Sequence, residues 1–456
     1  MYMKKNMSMC RAALCAALVL AAALAGPVSL HAQREADFKV EVTPGGGGVI
    51  IAKYTGTTAA VRIPATIQGL PVREIGEQAF VLNEIITSVI IPAGVTKINY
   101  YAFYDCKKLA SVTIPEGVIE IGTSAFYNCP LAAVTLPKSL RTLGSTVFGR
   151  GIKTVTFQEG IKEISESTFF GCSTLTTVTL PKGIETIGDR AFEGCTALTT
   201  VTLPQSLTTL GYNAFMNTGI TAVTIPGGTK FALDEDGDSY AFAKCARLRT
   251  VTFQEDVKTI PTGMFWDCKA LTTVTLPKGL QTIGNSAFSG CTALAAVTLP
   301  EGLEAIGNRA FRDCTALAAI TLPQSLKTLG YYAFMEAGLT AVTIPGEITN
   351  FGLDKDGING AFAGCTKLRT VTLREGVKTI PSGMFAGCSA VATVTLPASI
   401  TQIDADAFLD CAALTTVTIP DSVESIKFAN DREFQRTKLS VASQAAVRKR
   451  GYTGGF

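Results

Sequence analysis

Between residues 187 and 204 the apolar side chains fall at Ile187, Phe192, Cys195, Leu198, Val201 and Leu203, with polar or small residues between them. The stretch LTTVTL alternates: Val201 and Leu203 point one way, Thr200 and Thr202 the other, the two-residue period of a half-buried strand. Pro204 follows, and a residue without an N–H ends a strand. Gly188-Asp189 predicts a turn, and DRAFEGC has room for one or two helical turns. Such a coil cannot enclose a core alone, so its inward row needs another coil above and below.

The chain supplies those neighbours. The frame IG-xx-AF-xx-C-xx-L-xx-V-x-[IL]-P recurs about every 23 residues, with its proline at Pro64, Pro92, Pro115, Pro137, Pro181, Pro204 and on to Pro420. Gln158, Gln254 and Arg374 stand in that place in three further units, giving 16 in all. Stacked coils with one strand each predict one parallel sheet, on the order of 75 Å long at about 4.8 Å per strand. Phenylalanine holds the AF position in fifteen coils and cysteine follows three residues later in eleven. Repetition in register assigns these columns to the core, as a stacked aromatic spine with a ladder of small thiols beside it. The eleven cysteines are expected as free, buried thiols.

A longer period overlies the first. LPQSLTTLGYNAFM at 203–216 returns as LPQSLKTLGYYAFM at 322–335, an offset of five coils. Each copy of this block holds one expanded coil, KFALDEDGDSYAF and NFGLDKDGINGAF, and insertions in a solenoid leave as surface loops. Before the array, FKVEV and VIIAKY flank a glycine-rich turn and predict a β-type cap over 33–80. The solenoid then spans 81–426. A C-terminal cap over 427–456 follows, with a helix from about Ser440 to Arg450. Residues 1–32 read as an export signal, with Lys4, Lys5 and Arg11 before an apolar run over 12–25 that is too short to span a membrane comfortably.

Removing that signal takes three basic residues from a net charge of +3 and leaves a neutral chain, which carries no electrostatic footprint for nucleic acid. It also removes the one histidine, His31, and with it the usual general base and zinc ligand. Neither a P-loop nor a dinucleotide fingerprint is present, so no cofactor is expected. Enzymatic chemistry would have to rest on carboxylates alone. Asp234, Asp236 and Asp238 are a candidate calcium set, competing with a plain acidic turn; the second copy keeps Asp354 and Asp356 but has Ile358 in the third place.

The frame, with proline, AF and cysteine recurring together, resembles the BspA-like leucine-rich repeat family over roughly residues 60–426. That resemblance implies an α/β solenoid: a curved leucine-rich repeat array with one parallel β-sheet and short helical turns on the back. It also implies an exported or surface protein of a host-associated bacterium, one that engages host or bacterial surface proteins or glycans. A structural envelope or biofilm-matrix component and a carboxylate-dependent secreted enzyme are the competing readings. The expected partner site joins the expanded coils, through Tyr240 and Asp354, to the hydroxyl-rich strand face at Thr224, Thr252, Thr343 and Thr372.

Overall fold

The computed structural model describes residues 33–456, so the export signal expected at 1–32 lies outside the described residues. Each coil is a three-sided circuit. The first side is the alternating strand, and its copies pair in parallel and in register: Val223 with Val251, then Val251 with Val274. Val223, Val251 and Val274 are buried while Thr224, Thr252 and Thr275 face outward, as the two-residue period requires.

The second side is a ladder that the sequence pattern does not announce. Strands of two residues, such as Thr186–Ile187, Thr209–Leu210 and Lys230–Phe231, pair in parallel from coil to coil. Ile187 and Leu210 are wholly buried, and their Thr neighbours point away from the core. Gly188 and Gly211, which follow the first two of these strands, permit close stacking. A Cβ on Gly211 would stand 2.3 Å from the Gly188 carbonyl carbon of the previous coil.

The third side carries the AF segment, for which the sequence predicts one or two helical turns. The structure has a ladder of turns instead. Around Phe192, alternate N–H groups close turns within the coil, Ala191 to the Gly188 oxygen at 3.3 Å and Glu193 to the Arg190 oxygen at 3.1 Å. The others reach the next coil: Arg190 to Tyr212 at 2.9 Å, Phe192 to Ala214 at 2.7 Å and Gly194 to Met216 at 2.9 Å. Arg190 and Gly194 have φ of 54° and 75°, so the chain cannot continue as a right-handed helix. The bonds between coils offset the cost of these left-handed residues. Among the described residues the one α-helix is Val441–Lys449.

Inside, the phenylalanine column is continuous. Phe265, Phe288 and Phe311 stack with centroids 5.5 and 5.3 Å apart and planes within about 12° of parallel. The column begins at Phe38 and Tyr54 in the N-terminal hairpin and ends at Phe434, Tyr452 and Phe456. Phe434 lies beyond the last recognisable repeat, yet it stacks 5.5 Å from Phe408 as a further coil would.

All eleven cysteines of the array are buried and free. Each thiol donates to the carbonyl of the phenylalanine one coil earlier, at 3.0–3.4 Å. Burial pushes the Cys172, Cys365 and Cys411 thiols up to about 12.

Both ends are closed. Phe38–Val42 pairs antiparallel with Val49–Tyr54, which in turn pairs in parallel with Leu70–Ile75. At the other end Ser440 caps the helix, its hydroxyl accepting from the Ser443 N–H. Arg450 is buried rather than displayed. Its guanidinium donates to the Val423 oxygen at 3.1 Å and to the Pro420 oxygen at 3.4 Å, carbonyls that would otherwise await another coil.

Candidate functional site

Thr224 pairs with Thr252, and Thr343 with Thr372, so the first ladder does bring the expected threonines together as neighbours. Thr224 also lines a cleft of about 400 Å³ with Thr200 and Thr202, where the ladder opens. Thr372 lines another of about 370 Å³ with Thr393, Thr395 and Arg369. Nothing charged projects from the threonines themselves. The surface offers hydroxyls in rows and little to discriminate one partner from another.

Tyr240 and Asp354 belong to a different part of the coil. In chain order the circuit runs from Thr224 on the first ladder through Lys230–Phe231 on the second, and only then into the expanded loop and Tyr240. The second ladder therefore separates the threonine rows from the loops. Both loops are built alike. The Asp234 carboxylate accepts from the N–H groups of Asp236 at 3.1 Å and Asp238 at 2.9 Å. The Asp354 carboxylate accepts from Asp356 at 3.0 Å and Ile358 at 2.9 Å. Asp354 also accepts from the Tyr332 hydroxyl at 2.6 Å, which holds its carboxyl below the usual range and pushes the Tyr332 phenol up to about 12.

That arrangement is the geometry of an acidic turn, one of the two readings the sequence leaves open for these acids. Among the described residues no three acidic, cysteine or histidine side chains gather as a metal site. Asp234 spends one oxygen closing its loop, and the copy with Ile358 in place of Asp238 closes identically, so the acid is there for the turn.

The turn side carries what the threonine face lacks. Tyr100, Tyr101, Tyr104, Tyr127, Tyr212, Tyr240, Tyr331, Tyr332 and the one tryptophan, Trp266, all flank AF segments on this side. Cations sit over several of these rings: Arg190 over Tyr212 at 5.4 Å, Lys244 over Trp266 at 4.9 Å and Arg309 over Tyr331 at 5.1 Å. Between Tyr240 and Arg309 lies a cleft of about 320 Å³. Tyr104 stacks on Tyr127 at 5.4 Å beside another, of about 390 Å³. The irregular coils hint at Tyr240 and Trp266 in the sequence, but Arg309 and Arg312 give no such signal. They occupy ordinary repeat positions and join the cleft only because coils stack.

The chain belongs to the BspA type leucine rich repeat family, whose model matches residues 73–173, 134–234, 237–354 and 358–443. A leucine-rich repeat protein from Bacteroides ovatus is 25% identical over 73% of this chain and 98% of its own, with a TM-score of 0.51. A leucine rich cell surface protein from Faecalibacterium prausnitzii is also 25% identical, covering 94% of this chain and 100% of its own at a TM-score of 0.39. The pneumococcal vaccine antigen PcpA is 20% identical over 88% and 98% at 0.42. No curated protein matches the chain. The class is thus a bacterial leucine-rich repeat solenoid, of a kind that generally binds other proteins. Among the described residues no helix is long and apolar enough to cross a membrane.

Proposed function

We propose that this protein is exported and binds macromolecules at a host or bacterial surface, as an adhesin-type repeat protein without catalytic chemistry of its own. The observation that carries this reading is the pair of like-built loops that break an otherwise uniform array. Closed by Asp234 and Asp354, they project from coils five steps apart along a rigid stack. At about 4.8 Å per coil the two lie on the order of 24 Å apart, within reach of one extended partner. The export signal read at 1–32 and the loss of the sole histidine with it support the same reading. A partner that also engages Thr224, Thr252, Thr343 and Thr372 has to span more than one side of the coil, which favours a large macromolecule over a small ligand.

The test is binding of the fluorescently labelled chain to epithelial cells and to bacterial cells. Saturable binding that falls at least tenfold when 233–238 and 353–358 are each replaced by a short turn supports the reading. Absence of saturable binding to either cell type overturns it. Undiminished binding by the loop-replaced protein moves the site to the threonine ladder.

A further inference from the structure

The cleft between Tyr240 and Arg309 is walled by residues that the coil does not need. The internal duplication demonstrates this. Tyr240, Lys244 and Trp266 correspond to Gly360, Gly364 and Ala386 in the second copy, by the same offset that relates AF to AF. Both copies stack equally well: Phe242 and Phe265 are 5.7 Å apart, Phe362 and Phe385 are 5.6 Å apart. Two large aromatic rings and a lysine are therefore present in one block and dispensable for packing in the other. Tyr240 moreover holds a φ of 47°, a conformation that glycine takes without strain.

The side chains are arranged as a lined slot. Trp266 is 37% exposed, and its ring lies 6.0 Å from that of Tyr240. Lys244 covers Trp266 from the preceding coil, while Ser286 and Ser289 of the following coil line the cleft with it. Arg309 closes the far end, held over Tyr331. The slot crosses three coil steps, marked inside by centroid spacings of 5.7, 5.5 and 5.3 Å. Its carboxylates are committed: Asp313 lies 3.3 Å from Arg312, and nearby Asp267 lies 3.4 Å from Lys269. Arg309 forms no ion pair among the described residues, while the Nε of Arg312 is paired with Asp313.

Aromatic faces beside hydroxyls and one guanidinium without a carboxylate partner, that of Arg309, suit a ligand with a flat apolar face, many hydroxyls and a negative charge. A sugar ring supplies C–H groups for Trp266 and hydroxyls for Ser286 and Ser289, and a carboxylate matches the planar fork of arginine. We infer that this slot binds a short stretch of carboxylate-bearing glycan, stacked on Trp266 and anchored through Arg309. The assignment rests on the surface-binding reading above and adds the ligand class and the residues.

Trp266, as the sole tryptophan, reports on the slot directly. The purified chain is titrated with galacturonate oligomers, a hyaluronan hexasaccharide and sialyllactose while tryptophan emission is followed, with cello- and chito-oligosaccharides and hexaglutamate as controls. The expected result is a saturable emission change with at least one acidic saccharide, at least tenfold weaker for neutral sugars of equal length and for hexaglutamate. Calorimetric affinity should fall at least tenfold in Trp266→Ala, which takes the residue of the second copy, and in Arg309→Gln, with the thermal midpoint unchanged in both. No emission change with any acidic saccharide, or hexaglutamate binding as tightly as the sugars, overturns the inference. Affinity that survives both substitutions overturns it as well. The same two variants are carried through the cell-binding assay. Cell binding that persists in a chain with no affinity for acidic sugars removes this site and leaves the surface-binding reading standing.

Discussion

The thiol of Cys291 donates to the carbonyl oxygen of Phe265, one coil earlier, at 3.3 Å. That oxygen also accepts from the N–H of Cys268 in its own coil at 3.2 Å, so the AF carbonyl is satisfied twice inside a dry core. The cysteine is thus a small residue with a donor at the point where a carbonyl needs one, and the thiol-to-carbonyl bond repeats at every cysteine of the array.

Thiol chemistry follows from that geometry. Each Sγ donates to a carbonyl in the dry core, and burial holds the Cys172, Cys365 and Cys411 thiols at about 12, so these three carry almost no thiolate near neutral pH. Iodoacetamide at pH 8 should leave all eleven unmodified in the native chain and modify all of them in urea. Intact mass under non-reducing conditions should show no loss of hydrogen to disulfides; several defined intrachain disulfides would refute the assignment.

Stability against pH has a definite sign. These thiols are raised in the fold from an ordinary 9.0, so the unfolded chain ionises first as the solution becomes alkaline. Their contribution is complete below about pH 9 and is lost as pH rises from there towards 12. Tyr332, raised from 10.0 to about 12 by its bond to Asp354, acts in the same direction from about pH 10 upward. Urea midpoints should be level from pH 7 to 8.5 and decline above 9; a midpoint that rises across that window contradicts the burial.

The aromatic spine and the threonine face should respond very differently to truncation. Phe288 is fully buried between Phe265 and Phe311, and Phe288→Ala should cost about 3–5 kcal/mol through the cavity it opens. Thr275 is an exposed ladder residue, and Thr275→Ala should cost well under about 1 kcal/mol. Urea unfolding compares the two, and equal costs would mean the faces are inverted.

Arg450 should act locally. Arg450→Ala removes the donors to Val423 and Pro420 and leaves buried carbonyls unpaired, but a solenoid passes stability mainly between neighbours. Hydrogen exchange should quicken over 414–450 while 80–200 stays protected. Uniform acceleration along the chain would show that the array unfolds as one unit.

Much of the fold is legible in the order of residues alone. Alternation in LTTVTL sets the strand and its faces, because the two-residue period is a local property of extended backbone. Repetition of Phe and Cys in register marks the core, and Ser440 ahead of an apolar pattern marks the helix start. The turn side is not legible in this way. DRAFEGC is compatible with a helical turn, and what decides against it is the set of N–H bonds from Arg190, Phe192 and Gly194 to a coil that begins some twenty residues later. Phe434 escapes the repeat pattern for a related reason: its segment has lost the frame, and only the Phe408 ring beneath it reveals the position as a further coil. The cleft is the clearest case. Tyr240, Trp266 and Arg309 lie far apart in sequence, Arg309 at an unremarkable repeat position, and only the rise from coil to coil makes them walls of one slot.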